Sequence, residues 1–187
     1  RAAGRRARKP KQRTAHRGEP TTLRLAGPLV VRAARATVQI ESIAAGGAGV
    51  GHLPDGRAVF VQRTAPGDSA YIELTADKKR YARGRLLRLD ILGPERRTAP
   101  CPHYSRCGGC TLEHLEYEAQ LQAKARIVTD ALQRIGGLEV QTPAVTASPS
   151  EFRYRNRVSF TLVRTPGGRV LAGFHEIDRP DRVLDIS

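Results

Sequence analysis

All three cysteines of this chain fall within the stretch CPHYSRCGGC, as Cys101, Cys107 and Cys110. Thiolates this close together suit three kinds of chemistry. With a fourth ligand from elsewhere they would hold an iron–sulfur cluster, which calls for four sulfur ligands. With His103 or His114 they would complete a zinc site, because Cys110-x-x-x-His114 is an allowed spacing. As Cys107-Gly-Gly-Cys110 ahead of a helix, two of them would form a redox pair acidified by the helix N-terminus. That last arrangement expects a strand running straight into the motif, and here a Pro-flanked loop precedes it. Three idle thiols remain the plain alternative. Gly108 and Gly109 permit unusual backbone angles, and their amides are placed to donate to cluster sulfurs. Arg97 and Arg106 would offset the negative charge of thiolate ligation.

An odd, clustered set of cysteines does not read as a secreted disulfide framework, so a reducing, cytoplasmic setting is expected. The longest apolar runs are short, such as Gly27 to Val31, and no membrane partner is expected. The formal net charge is +14. Much of it lies in Arg1 to Gly18, which has no acidic residue, and the remaining body is basic too. Such a balance implies a polyanionic partner, most often RNA or DNA. Residues 1–35 read as a solvated basic tail.

The elements that position these groups follow from pattern. Ala36 to Ala44 (ATVQIESIA) alternates as a strand. GGAGVGHLPDGRAVFV gives a short strand, a Pro54-Asp55-Gly56 turn and a second strand through Val59 and Val61. SAYIELTAD and RYARGRLLRLDIL complete about five strands with no helical period between them, so residues 36–93 read as a closed, OB-like barrel. Gly46 to Gly51 lacks the G-x-G-x-x-G spacing and no helix follows it, so a nucleotide cradle is rejected in favour of a bulged hairpin entry. GPERRTAP is a polar connector, and residues 94–137 form the cysteine loop and a helix. Thr111 is the expected cap of that helix, and Val128, Ala131, Leu132 and Ile135 are its expected core stripe. In residues 138–187, EFRYRNRVSFTLVR reads as a strand with Phe152, Tyr154, Val158, Phe160 and Leu162 on one face. Arg153, Arg155 and Arg157 fall on the other. RVLAGF and RVLDIS add two more strands of a partial antiparallel domain. The fold class is mainly β with some α.

The order of these features resembles the RNA uracil-C5 methyltransferases that act on ribosomal or transfer RNA. The resemblance covers nearly all of Ala36 to Ser187. It rests on GAGVGHLPDGRAVFV, DKKRYARGRLLRLD, GPERR and above all CPHYSRCGGC with the helix after it. YRNRVSF and GFHEIDRPDRVLDIS add to it. One departure is VQRTAPGD, where the family tends to begin that turn with Val-Pro-Gly. The resemblance implies an N-terminal TRAM barrel, a [4Fe–4S] cluster on Cys101, Cys107 and Cys110, a central domain and a C-terminal S-adenosylmethionine-dependent catalytic domain. It also implies a fourth cysteine just after Ser187. Together with the Met-free start at Arg1, this leads to the expectation of a fragment without methyl-transfer residues. Lys78, Lys79, Arg80, Arg83 and Arg85 would meet RNA phosphates, Tyr81 would stack on a base, and Arg153, Arg155 and Arg157 would form a second stripe. A monomer is expected. The rival readings are a freestanding zinc-binding RNA-binding protein and a thiol oxidoreductase.

Overall fold

The computed structural model of the protein describes residues 34–142 and 144–186. The basic tail expected over residues 1–35 lies almost wholly outside the described residues. Strands β1 (Arg35–Ile43), β2 (Gly49–His52), β3 (Ala58–Val61), β4 (Ser69–Asp77) and β5 (Tyr81–Ile91) close into a barrel in the order β1-β2-β3-β5-β4. All pairings are antiparallel except β3 with β5, which run parallel and bring Phe60 opposite Arg83. Alternation does the sorting. Val38, Ile40, Val59, Val61, Ile72 and Ala82 point inward and are buried, while the intervening residues face out. Each fully buried aliphatic chain contributes about 1.5–3 kcal/mol.

The glycines between β1 and β2 serve packing. A Cβ on Gly49 would lie 2.1 Å from Thr64 Oγ1, and one on Gly51 would lie 2.2 Å from the Gln39 carbonyl oxygen. A bulge between Ile40 and Ser42 completes the hairpin entry that the spacing implied.

After the barrel, the connector doubles back. Arg97 N–H donates to His114 O, and Glu116 N–H to Glu95 O, each at 2.9 Å. Helix α1 spans Tyr117–Asp130 and runs on into a π-helical turn at Ala131–Ile135. It starts later than expected: Thr111 is not its cap, and Glu116 holds that place without a side-chain hydrogen bond. Its buried face also differs. Ala119, Leu121, Ala125 and Thr129 are covered, whereas Val128, Leu132 and Ile135 are exposed. The reason is local: the first turns of the helix pack with Leu115 against Ile43 and Ala65 of the barrel, so Ala119 and not the later stripe meets that core.

Strands β6 (Thr161–Arg164), β7 (Val170–His175) and β8 (Val183–Asp185) form a three-stranded antiparallel sheet. The long strand expected from Glu151 shrinks to β6, and residues 151–160 are irregular. Arg153 takes a left-handed φ of 58°, which breaks a pleated run, and no strand among the described residues pairs with this segment. Phe152, Tyr154, Val158 and Phe160 are accordingly exposed.

Candidate functional site

The cysteine loop is held by main-chain contacts from two sides. From the barrel, Arg63 Nη1 donates to Cys110 O at 2.7 Å and Nη2 to Cys107 O at 2.5 Å. The same guanidinium lies 3.6 Å from the centroid of the Tyr104 ring. From the second sheet, Gly108 N–H donates to His175 O and Ile177 N–H to Arg106 O, both at 2.9 Å. A Cβ on Gly109 would lie 2.8 Å from the Phe174 ring, and one on Gly108 would lie 2.9 Å from His175 O. Neither glycine has a positive φ. They are required because β7 lies so close, and unusual backbone angles play no part.

Beneath the loop sits a buried polar relay. His114 is 3% exposed, with Nε2 at 3.0 Å from Thr64 O and Nδ1 at 2.6 Å from the Tyr104 hydroxyl. A carbonyl only accepts, so Nε2 carries the proton and Nδ1 accepts from Tyr104. Both ring nitrogens are therefore committed, and His114 cannot complete a zinc site. Among the described residues no group of three or more His, Cys, Asp or Glu, the three cysteines included, is assembled to hold a metal ion. Burial pulls the His114 imidazole down to about 4, with the charges of Arg96 and Arg63 acting in the same direction.

Asp68, fully buried, anchors the other end of the relay. It accepts from Ala65 N–H at 2.6 Å, Gly93 N–H at 2.8 Å and Arg96 Nη2 at 2.6 Å. Burial pushes this carboxyl up, but the bonds from Arg96, Ala65 and Gly93 outweigh it and hold Asp68 below the ordinary carboxylate range. Arg96 Nη2 also donates to Arg63 O at 2.8 Å, so the two arginines are joined.

The three thiols differ in exposure. Cys107 is buried, Cys101 half-buried and Cys110 exposed, and none is in a disulfide. Gly109 N–H points at Cys107 Sγ from 3.3 Å. Partial burial pushes the Cys110 thiol up, and Glu113, Cys107 and Cys101 add to the effect by charge. Helix α1 begins only at Tyr117, so no helix N-terminus follows directly on Cys110 to acidify a thiol pair, and the redox reading loses that support. The donor set suits a thiophilic iron–sulfur group in kind and falls short of four in number. Arg97 and Arg106 do not face the thiols as free cations: Arg97 bonds Glu151 and Glu113 O, and Arg106 pairs with Glu176.

Of the expected RNA contacts, Lys78, Lys79 and Arg80 form the exposed tip of the β4–β5 hairpin. Arg57 steadies the tip by pairing with Asp77 and donating to Lys78 O at 2.7 Å. Tyr81 is 38% exposed and meets Phe60 edge-on at 6.0 Å. Arg83 shares this outer wall without an ion pair among the described residues, whereas Arg85 pairs with Glu73. Arg153, Arg155 and Arg157 lie in the irregular segment and do not make the expected stripe; Arg155 stands over Tyr154 at 5.7 Å. Sequence reasoning missed Arg63, Tyr104, His114 and Asp68 as a unit. The one available signal was the departure at Gln62-Arg63-Thr64, where a non-glycine residue adopts a φ of 66°.

Residues 33–87 match the TRAM domain, which is the class of module this barrel defines. Over 143 residues the chain is 39% identical to an RNA methyltransferase of Gloeobacter violaceus, covering 76% of this chain and 31% of that one. Over 139 residues it is 42% identical to an RNA methyltransferase of Bacillus cereus, covering 74% and 30%. A solved structure, the Pyrococcus abyssi tRNA (uracil-54, C5)-methyltransferase with S-adenosyl-L-homocysteine, is 30% identical, with 80% of this chain and 31% of that one covered and a TM-score of 0.47. The barrel is thus a TRAM domain, and over most of its own length the chain is similar to RNA methyltransferases. It spans about a third of the length of the curated relatives it matches.

His114 makes the fold sensitive to acid. The folded state holds it neutral, while the unfolded chain protonates near the ordinary value of 6.5. Stability from this site is whole above that value and is lost as pH falls toward about 4, a loss of about 3 kcal/mol at its limit. Melting temperature measured across this window should decline in the native protein and decline less in His114→Gln. A flat native curve would contradict the assignment.

Proposed function

We propose that this chain supplies the RNA-gripping and cysteine-bearing part of an S-adenosylmethionine-dependent RNA (uracil-C5) methyltransferase acting on ribosomal or transfer RNA in the cytoplasm. The observation that carries this is the exposed cationic tip Lys78-Lys79-Arg80, set on a TRAM barrel beside Tyr81. Cations there neutralise phosphates, and an exposed ring offers a stacking surface for an unpaired base. The printed name of the Pyrococcus abyssi structure supports the uracil-C5 chemistry and the methyl donor.

In that chemistry a cysteine thiolate adds to C6 of the uracil. C5 becomes nucleophilic enough to take the methyl group from the sulfonium donor, which departs as a thioether, and a base then removes the C5 proton as the thiolate is expelled from C6. No residue of this chain is assigned to those steps, and the isolated chain is expected to form no 5-methyluridine. Cys101, Cys107 and Cys110 are proposed as ligands of a [4Fe–4S] cluster, with a fourth ligand outside this sequence. When bound, such a cluster cross-links the loop and brings negative charge to it. The Gly109 N–H aimed at Cys107 Sγ supports this role, since sulfur-directed amides are common around such groups.

Two measurements test the proposal. Affinity for structured RNA should fall steeply with salt, and neutralising Lys78, Lys79 and Arg80 together should reduce the log–log slope by about 2. Binding indifferent to salt would defeat the RNA reading. Anaerobic reconstitution should load iron and sulfide with visible absorbance, abolished by Cys107→Ser. One tightly held zinc per chain, with no such absorbance, would refute the cluster.

A further inference from the structure

A cleft of about 890 Å³ lies between the outer wall of the barrel and the cysteine-bearing half. Phe60, Gln62 and Arg83 line it on the barrel side, and Thr98, Tyr104 and Ile177 on the other. Its volume falls in the range of about 300–1,000 Å³ typical of sites that enclose small organic groups. Two polar atoms on consecutive lining residues are buried without a hydrogen-bond partner among the described residues: the Gln62 carbonyl oxygen Oε1, an acceptor, and Arg63 Nε–H, a donor. Unpaired buried groups are costly, and an orphaned acceptor and an orphaned donor on two consecutive lining residues point to a ligand that satisfies both.

The chemistry of that ligand can be read from the surroundings. The Watson–Crick edge of every nucleobase presents a donor beside an acceptor, which can serve one protein acceptor and one protein donor together. Phe60 offers an apolar ring, and Arg83, opposite it in the β3–β5 register, is exposed and without an ion pair among the described residues. The acidic Glu73 in the cleft is already neutralised by Arg85 and Arg35. Phe60 also touches Tyr81, which directly follows the basic tip, so the cleft is continuous with the proposed phosphate-binding surface.

We propose that this cleft receives one unstacked nucleotide of single-stranded RNA, its base edge on Gln62 and Arg63, its ring on Phe60 and its phosphate toward Arg83. This inference rests on the RNA reading above and adds the preference for an unpaired nucleotide. Duplex RNA has its base edges engaged and cannot fill the cleft without unpairing.

The test uses the purified chain with labelled single-stranded homopolymeric oligoribonucleotides and a duplex of equal length, comparing native protein with Gln62→Leu and Phe60→Ala. Gln62→Leu should weaken single-strand binding by about tenfold. Duplex affinity and the salt slope should stay unchanged. Its melting temperature should hold or rise, because a buried unpaired acceptor is removed; a merely structural role would lower it. Phe60→Ala should weaken single-strand binding in the same selective way. Native-like single-strand affinity in Gln62→Leu, or equal loss on both RNAs, would overturn the cleft while leaving the RNA reading intact. Absence of salt-dependent binding to any RNA would overturn both. Displacement by free nucleoside monophosphates at strand-like affinity would also overturn it, by making the ligand a free nucleotide.

Discussion

The side chain of Arg63 is the constraint on which the two halves of this structure depend. It leaves the end of the barrel wall, grips Cys107 O and Cys110 O, and lies against Tyr104. Its own carbonyl takes a bond from Arg96, which in turn is held by buried Asp68. The backbone at Arg63 sits at φ 66°, a conformation that costs a non-glycine residue about 1–2 kcal/mol. Two charge-assisted hydrogen bonds contribute about 1.5–3 kcal/mol each, and the desolvated cation–π contact about 2 kcal/mol. The contacts outweigh the strain, so the left-handed residue persists.

This arrangement separates support from chemistry at the cysteine loop. Main-chain carbonyls and amides carry the loop's position, through Arg63 on one side and β7 on the other. His114 and Tyr104 are consumed by the relay beneath it. The loop's position is thus set by its main chain, and of the thiols Cys110 bonds the Glu113 side chain. The basic tip of the β4–β5 hairpin stands on the same barrel, steadied by Arg57 and without an ion pair at its ammonium and guanidinium ends among the described residues. One barrel thus presents a cationic rim and a seat for a sulfur-rich loop.

The barrel was legible because its signals are local. Alternation such as Val38 and Ile40, or Val59 and Val61, together with Pro-Gly turns, determines strands and hairpins within a few residues. The cysteine loop was legible as a cluster of sulfur donors, and its glycines as necessary, though for packing against Phe174 and not for backbone freedom. The helix start at Thr111 failed because the 95–97 connector pairs with 114–116 and unwinds that stretch into an extended path. The stripe at Val128 and the strand at Phe152 failed for a shared reason. Periodicity reports which face is apolar, but only a partner covers it, and both faces stay largely exposed even though Phe152 meets Arg97 and Phe160 meets Phe174. The Arg63–Tyr104–His114 relay was invisible because its members lie 10 to 50 residues apart and meet only through the fold.

The central claim, that Arg63 fastens the cysteine loop to the barrel, is tested most directly by hydrogen–deuterium exchange on Arg63→Gly. Glycine accepts the left-handed backbone without strain, so the barrel should retain its protection. Amides of residues 101–110 should exchange markedly faster than in the native chain while those of β1 to β5 do not change. Unaltered protection across the loop would show that β7 alone secures it and would contradict the role given to Arg63.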